Sequence, residues 1–297
     1  GASPPGLADP PPGPMILALA LLAAGLASAA DPLAAVDASW RDKGYQARDR
    51  VSGEDGELTA NAVIYTPAEG GGDRLEIYVV ARGKAYLGFT HPSRIERLEF
   101  DPSPAGRFAD MFGDGSMTLA YRATRVALGA TELNILRWKR FKIERIAVFP
   151  EGRFLRLETG PVVASRELPL GRYLSMGCEN FGTISRTAFK TVLSEPRARG
   201  FKDVSSKHPR FYRSEIERKE KALGRLRDDL ENHTGEYLGL AISTYYDYAA
   251  MGRAREGWTR LRAFFKIPAL VPASVKTCMA EMERDLRRKL AVPASWP

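Results

Sequence analysis

The chain has few of the residues that usually announce chemistry. Three histidines, at 91, 208 and 233, and two cysteines, at 178 and 278, are spread over 297 residues. No GxSxG, HExxH, GxxxxGK or strand-linked GxGxxG occurs, which leaves nucleophile-elbow, zincin, P-loop and dinucleotide-binding chemistries without their local signatures. A scattered histidine reads most simply as a surface residue. Cys178 with His208 makes a nucleophile and base only if the fold joins them. A carboxylate pair such as Glu179 and Glu195 has no fixed spacing to recognise. No motif asks for a cofactor, and no nucleic-acid motif is present.

Long apolar runs are scarce too. The one candidate, "MILALALLAAGLASAA" at 15–30, has 16 residues, short of the ~20 that cross a bilayer. It fits the apolar part of a secretory signal with small residues, Ser28 and Ala30, before a cut at Asp31. Residues 1–30 hold no Lys or Arg, unlike most signals, and 1–14 are Pro/Gly-rich. Met15 as the true initiator would account for both. Export to a periplasmic or secreted location is the expectation, with a mature chain free of transmembrane helices. In an oxidising compartment Cys178 and Cys278 would pair, closing a loop of about 100 residues.

What is present divides into two halves. Residues 1–180 carry 21 basic and 22 acidic side chains, and residues 181–297 carry 23 and 14. The front is neutral and the back strongly basic, a balance that suits an acidic protein partner or an anionic envelope polymer. From about 59 to 160 apolar residues alternate, as Leu75, Ile77 and Val79 do in "RLEIYVV", the period of strands. The alternation slips between Ile143 and Ile146, which predicts a bulge. Beyond 212 the period becomes helical, in four stripes: Ile216, Leu223, Leu226 and Leu230; Leu238, Ala241, Ile242, Tyr245 and Ala249; Ala254, Trp258, Leu261 and Phe265; then Val275 to Leu290. Each stripe looks one-sided, and Ser214 with Glu217 reads as a capping box opening the first.

The expected fold class is therefore α+β. A Pro/Gly-rich leader and signal peptide (1–30) precedes an antiparallel, blade-like β-rich domain (31–196), a linker (197–212) and a small helical domain (213–297).

"FADMFGDGSMTLAYRAT" at 108–124 carries the one loop that suggests a metal. Calcium loops place oxygen ligands at alternate positions before a Gly. Here Asp110 and Asp114 flank Phe112, and no acid follows Gly115. The reading is a degenerate loop in which an aspartate caps its own turn, with no metal. Residues 108–152 resemble an FG-GAP or VCBS-type repeat, and "MGCENFGT" at 176–183 a decayed second copy. The resemblance implies a blade-like β-unit of the kind found in exported adhesive and envelope proteins. Residues 236–268, with Tyr248, Gly252, Gly257 and Pro268, resemble a single tetratricopeptide unit. They read as an antiparallel helix pair in which Gly252 permits the turn and Gly257 a close crossing.

In "STYYDYAAMGR", Tyr245 belongs to the apolar stripe and Tyr246 points elsewhere. Tyr246, Arg253, Arg255, Arg260 and Arg262 are the candidate binding residues, because Tyr and Arg are enriched where partners are gripped. The function expected is a non-catalytic exported scaffold or binding protein of the cell envelope. An envelope hydrolase using a carboxylate pair, or an anionic-polymer binder, is the alternative.

Overall fold

The computed structural model describes residues 31–92, 94–171, 184, 186–198, 200–266 and 273–296. Its strand half is built from three successive four-stranded antiparallel sheets. Sheet I holds β1 (Tyr45–Asp55), β2 (Leu58–Pro67), β3 (Arg74–Ala81) and β4 (Lys84–Thr90) in that order. Sheet II holds β5 (Glu96–Phe100), β6 (Met117–Arg125), β7 (Ala130–Lys139) and β8 (Lys142–Pro150). Sheet III holds β9 (Arg153–Leu157), β10 (Gly160–Glu167), β11 (Lys190–Arg197) and β12 (Gly200–Asp203). A short helix, α1 (Ala34–Asp42), precedes them. Helices α2 (Pro209–Arg227), α3 (Leu230–Ala250), α4 (Ala254–Phe265) and α5 (Ala273–Lys289) follow. The fold class is α+β, strands first and helices second, as the two periods predicted. Among the described residues no helix is long and apolar enough to cross a membrane.

The layers stack in chain order because the middle strands are apolar on both faces. Ala62, Ile77 and Val79 of sheet I meet Leu119, Tyr121, Leu136 and Trp138 of sheet II. The other face of sheet II offers Ala120, Leu133 and Ile135 to Val163 and Phe154 of sheet III. Beyond that, Val162, Ala164 and Leu193 pack on Tyr212 of α2. At the far end Trp40 of α1 covers Val63, Tyr65 and Tyr78. Burying a Trp or Phe in such a layer is worth ~3–5 kcal/mol against Ala, so each interface holds a large share of the stability.

The expected bulge is present on β8. Ile135 pairs with Ala147 and Leu136 with Arg145, leaving Ile146 as the extra residue. Two expectations need correction. Residues 197–212 are not a linker: β12 adds to sheet III, and α2 starts at Pro209. A proline tolerates the first helical turn, where its missing N–H has no partner to lose. Ser214 and Glu217 therefore lie inside α2 and cap nothing. The second correction is α3, which is not one-sided. From Tyr237 to Tyr248 its residues are buried or half-buried on every side, since it lies between α2, α4 and β11. Gly239, Ser243, Thr244 and Asp247 concealed this, because small and polar residues break the apolar count.

The α3–α4 junction follows the sequence reading. Gly252 takes φ +76° at the turn, and a Cβ on Gly257 would stand 2.6 Å from Tyr248 Cβ. The helices cross as closely as a bare backbone permits.

Candidate functional site

At one end of the stack three hairpin turns come together. In the β3–β4 turn both Arg82 (φ +50°) and Gly83 (φ +73°) are left-handed, the two-residue turn whose twist matches the strands it joins. In the β7–β8 turn Arg140 has φ +56°. Its carbonyl accepts from the indole of buried Trp138, and its N–H reaches Asp55 Oδ2 of the β1–β2 turn at 3.4 Å. Sheets I and II diverge here and leave a groove of about 1310 Å³.

The floor of this groove is Leu58, Val79 and Gly88. Its walls are Tyr86 and Phe141, 51% and 58% exposed, edge to face with centroids 6.4 Å apart. Leu87 beside them is 57% exposed. Arg82, Lys84 and Arg140 stand at the rim with one carboxylate, Glu57. Apolar side chains held in water over a concave floor mark an interaction surface rather than a core. None of the three cations belongs to an ion pair among the described residues.

The basic helices behave otherwise. Arg253 makes two bonds to Glu256, at 2.8 and 2.6 Å. Arg260 makes two to Glu220 of α2, at 3.1 and 3.2 Å. Arg262 reaches Glu283 of α5 at 2.6 Å. These arginines lie toward solvent, yet their charge is spent on neighbouring carboxylates. Arg255 is exposed. Tyr246 is not the surface anchor expected of it. It packs against the helical core, edge to face with Tyr245 at 5.5 Å, and burial pushes its hydroxyl up to about 12.

The Asp110 loop is a hydrogen-bonded turn. Asp110 accepts from the N–H groups of Gly113 (2.7 Å), Asp114 (3.3 Å) and Gly115 (3.0 Å). Asp114 accepts from the hydroxyl and the amide of Ser116, which hold its carboxyl below the usual carboxylate range. Phe112 turns inward, edge to face with Phe201 of β12 at 5.7 Å and under the Arg137 guanidinium. It is a packing residue that joins sheets II and III.

For catalysis the geometry brings little together. Glu195 is bonded to Arg197 on the same strand. Glu179 and the Cys178–Cys278 pairing fall outside the described residues. Two of the three histidines are buried, contrary to the surface reading. His91 Nε2 meets Glu96 at 2.7 Å and Nδ1 meets the Tyr121 hydroxyl at 2.9 Å, while His208 Nε2 lies 3.5 Å from Thr159 Oγ1. A carboxylate can only accept, so His91 carries its proton on Nε2 and accepts from Tyr121 at Nδ1.

A buried ion pair sits in the helical core. Lys219 Nζ lies 2.6 Å from Asp247 Oδ2 and 2.8 Å from Ser243 Oγ, and both charged side chains are fully buried. Burial pushes Asp247 up to about 6 and Lys219 down, each opposed by its partner. With no solvent access, the pair joins α2 to α3.

The residues of the groove escaped the sequence reading. One signal was available: a hairpin tip, "WKRFK", places Phe141 among cations where turn residues are normally polar. No protein-family model, curated protein or solved structure matches the chain.

Proposed function

We propose that the chain is a non-catalytic binding protein of the cell envelope, exported by the segment at 15–30, with the groove between sheets I and II as its partner-binding surface. One observation carries this: Tyr86 and Phe141 stand exposed over an apolar floor inside a rim of unpaired cations. Holding two rings of this size in water is costly, at ~25 cal/mol per Å² of apolar surface, and a partner that covers them recovers that cost. The likeness of 108–152 to units of exported adhesive proteins supports the same reading. The helical half, with Arg218, Arg253, Arg260, Arg262 and Arg288 held in ion pairs, serves as the base on which the strand layers are mounted.

Site-specific photocrosslinking tests this in the native host, with the full chain. A photoreactive residue at Tyr86 or Phe141 is expected to capture another macromolecule, and one at Glu69, in the exposed β2–β3 turn, is not. Equal yields at all three positions, or none at 86 and 141, would overturn the proposal.

A further inference from the structure

We infer that the groove takes an extended, acidic segment of a partner polypeptide, which adds edge-on to β4. This rests on the partner-binding reading above and adds to it the mode and chemistry of binding.

An unpaired edge presents free N–H and C=O groups, and proteins usually blunt it with charge, proline, bulges or brevity. Five of the six outer strands are blunted in these ways. β5, β9 and β12 have five residues or fewer. β1 carries Arg48, Asp49, Arg50, Glu54 and Asp55, with a bulge between Ala47 and Asp49. β8 carries Lys142, Glu144 and Arg145, its bulge at Ile146, and Pro150 at its end. β4, "KAYLGFT", differs. Its one charge is Lys84 beside the turn and its bulge comes only at Gly88, so between them Tyr86 and Leu87 stand in solvent on an unblunted edge.

The register says which groups are free. Ala81 pairs with Lys84 and Val79 with Tyr86. In a two-residue hairpin the pair flanking the turn is hydrogen-bonded. Bonding to β3 then alternates, and the main-chain groups of Ala85 point away from the sheet. At Gly88 a bulge interrupts the regular ladder, with Leu87 opposite Tyr78 and Phe89 opposite Ile77. The open stretch is Lys84–Leu87, which a segment of about six residues at ~3.3 Å each would cover.

Charge selects the occupant. Arg82, Lys84 and Arg140 ring the edge and outnumber the nearby acids Glu57 and Asp55, so carboxylates on the added strand are attracted. A second copy of this chain would bring the same three cations face to face, and like charges across a strand pair are destabilising. An anionic lipid surface offers charge but no strand to pair with the free amides.

The test uses the full chain and three probes. These are a capped peptide of alternating Val and Glu about six residues long, the same peptide with its alternate amides N-methylated, and phosphatidylglycerol vesicles. The Val/Glu peptide is expected to bind. N-methylation should weaken it tenfold or more, because each methyl removes an edge donor while keeping charge and apolarity. Arg82→Glu with Arg140→Glu should also weaken it tenfold or more, and added salt should weaken it further. Ala85→Pro should abolish it with the fold intact, since that N–H lies outside the β3–β4 ladder.

Equal binding of the methylated peptide, lost only in Tyr86→Ser/Phe141→Ser, would overturn strand addition and leave the groove reading standing. Vesicle binding without peptide binding would assign the surface to lipid. Self-association abolished by Arg82→Glu would assign it to a second copy. Peptide binding indifferent to every groove variant would overturn both readings.

Discussion

Lys219 and Asp247, on neighbouring helices, place Nζ 2.6 Å from Oδ2 with neither side chain reaching solvent. Asp247 Oδ1 has no hydrogen-bond partner among the described residues. Both groups are displaced toward their neutral forms, so the cost of removing charge from water outweighs what the pair regains.

The first prediction follows from that imbalance. Asp247→Ala alone leaves a buried ammonium unpaired and is expected to cost ~3–5 kcal/mol. Lys219→Met with Asp247→Leu restores an apolar contact between α2 and α3 and is expected to be neutral or stabilising by ~1–4 kcal/mol. Denaturant midpoints of the three proteins decide it. A double variant less stable than the wild-type protein would show that the pair is a net source of stability.

The same pair shows how far the sequence was legible. Tyr212, Ile216, Lys219, Leu223 and Leu226 follow helical spacing without a gap, yet a lysine in a stripe looks like an interruption until Asp247 is seen opposite it. The strand half was readable because period two survives burial on both faces, and its bulge at Ile146 was readable for that reason. The groove was not, because no spacing in the chain says that the β3–β4 and β7–β8 turns meet. The basic back half misled for a related reason. Arg260 and Arg262 find Glu220 and Glu283 only through helix packing, so a count of charges along the chain could not show them neutralised.

A second prediction concerns pH. His91 is held below its ordinary value, chiefly by burial, with Glu96 opposing. Glu96 is pulled up by burial, but bonds from His91 and Arg125 outweigh this and hold it below the usual carboxylate range. Both folded-state values are depressed, so the unfolded chain binds more protons and stability falls on acidification. For His91 the contribution is complete above the unfolded value of ~6.5 and is lost as pH falls through the lower folded value. For Glu96 the loss comes below ~4.3. Unfolding curves at several pH values should show a shallower fall near pH 6 in His91→Gln. An unchanged slope there would remove His91 as the cause.

A third prediction concerns the Asp110 turn. Its carboxylates are already engaged by amide and hydroxyl donors, so a cation would have to displace them. Calcium is expected to leave the melting temperature unchanged. A site held at 100 times its dissociation constant would instead add ~2.7 kcal/mol. A rise abolished by Asp114→Ala would show the loop binding the ion.

The last prediction sets two helical glycines against each other. Among the described residues, nothing lies within 4 Å of a Cβ added to Gly224 in α2. Gly224→Ala therefore gains helix propensity without a clash and should stabilise by ~0.5–1 kcal/mol. Gly257 in α4 is buried, and its added Cβ would lie 2.6 Å from Tyr248 Cβ and 3.2 Å from the Tyr245 carbonyl. Neither atom is the far end of a flexible side chain, so α3 and α4 must separate. The same propensity gain then meets an overpacking cost of ~1–3 kcal/mol, and Gly257→Ala should be destabilising on balance. Thermal melts of the two variants are expected to shift in opposite directions. A stabilised Gly257→Ala protein would mean that the helix pair has room to spare.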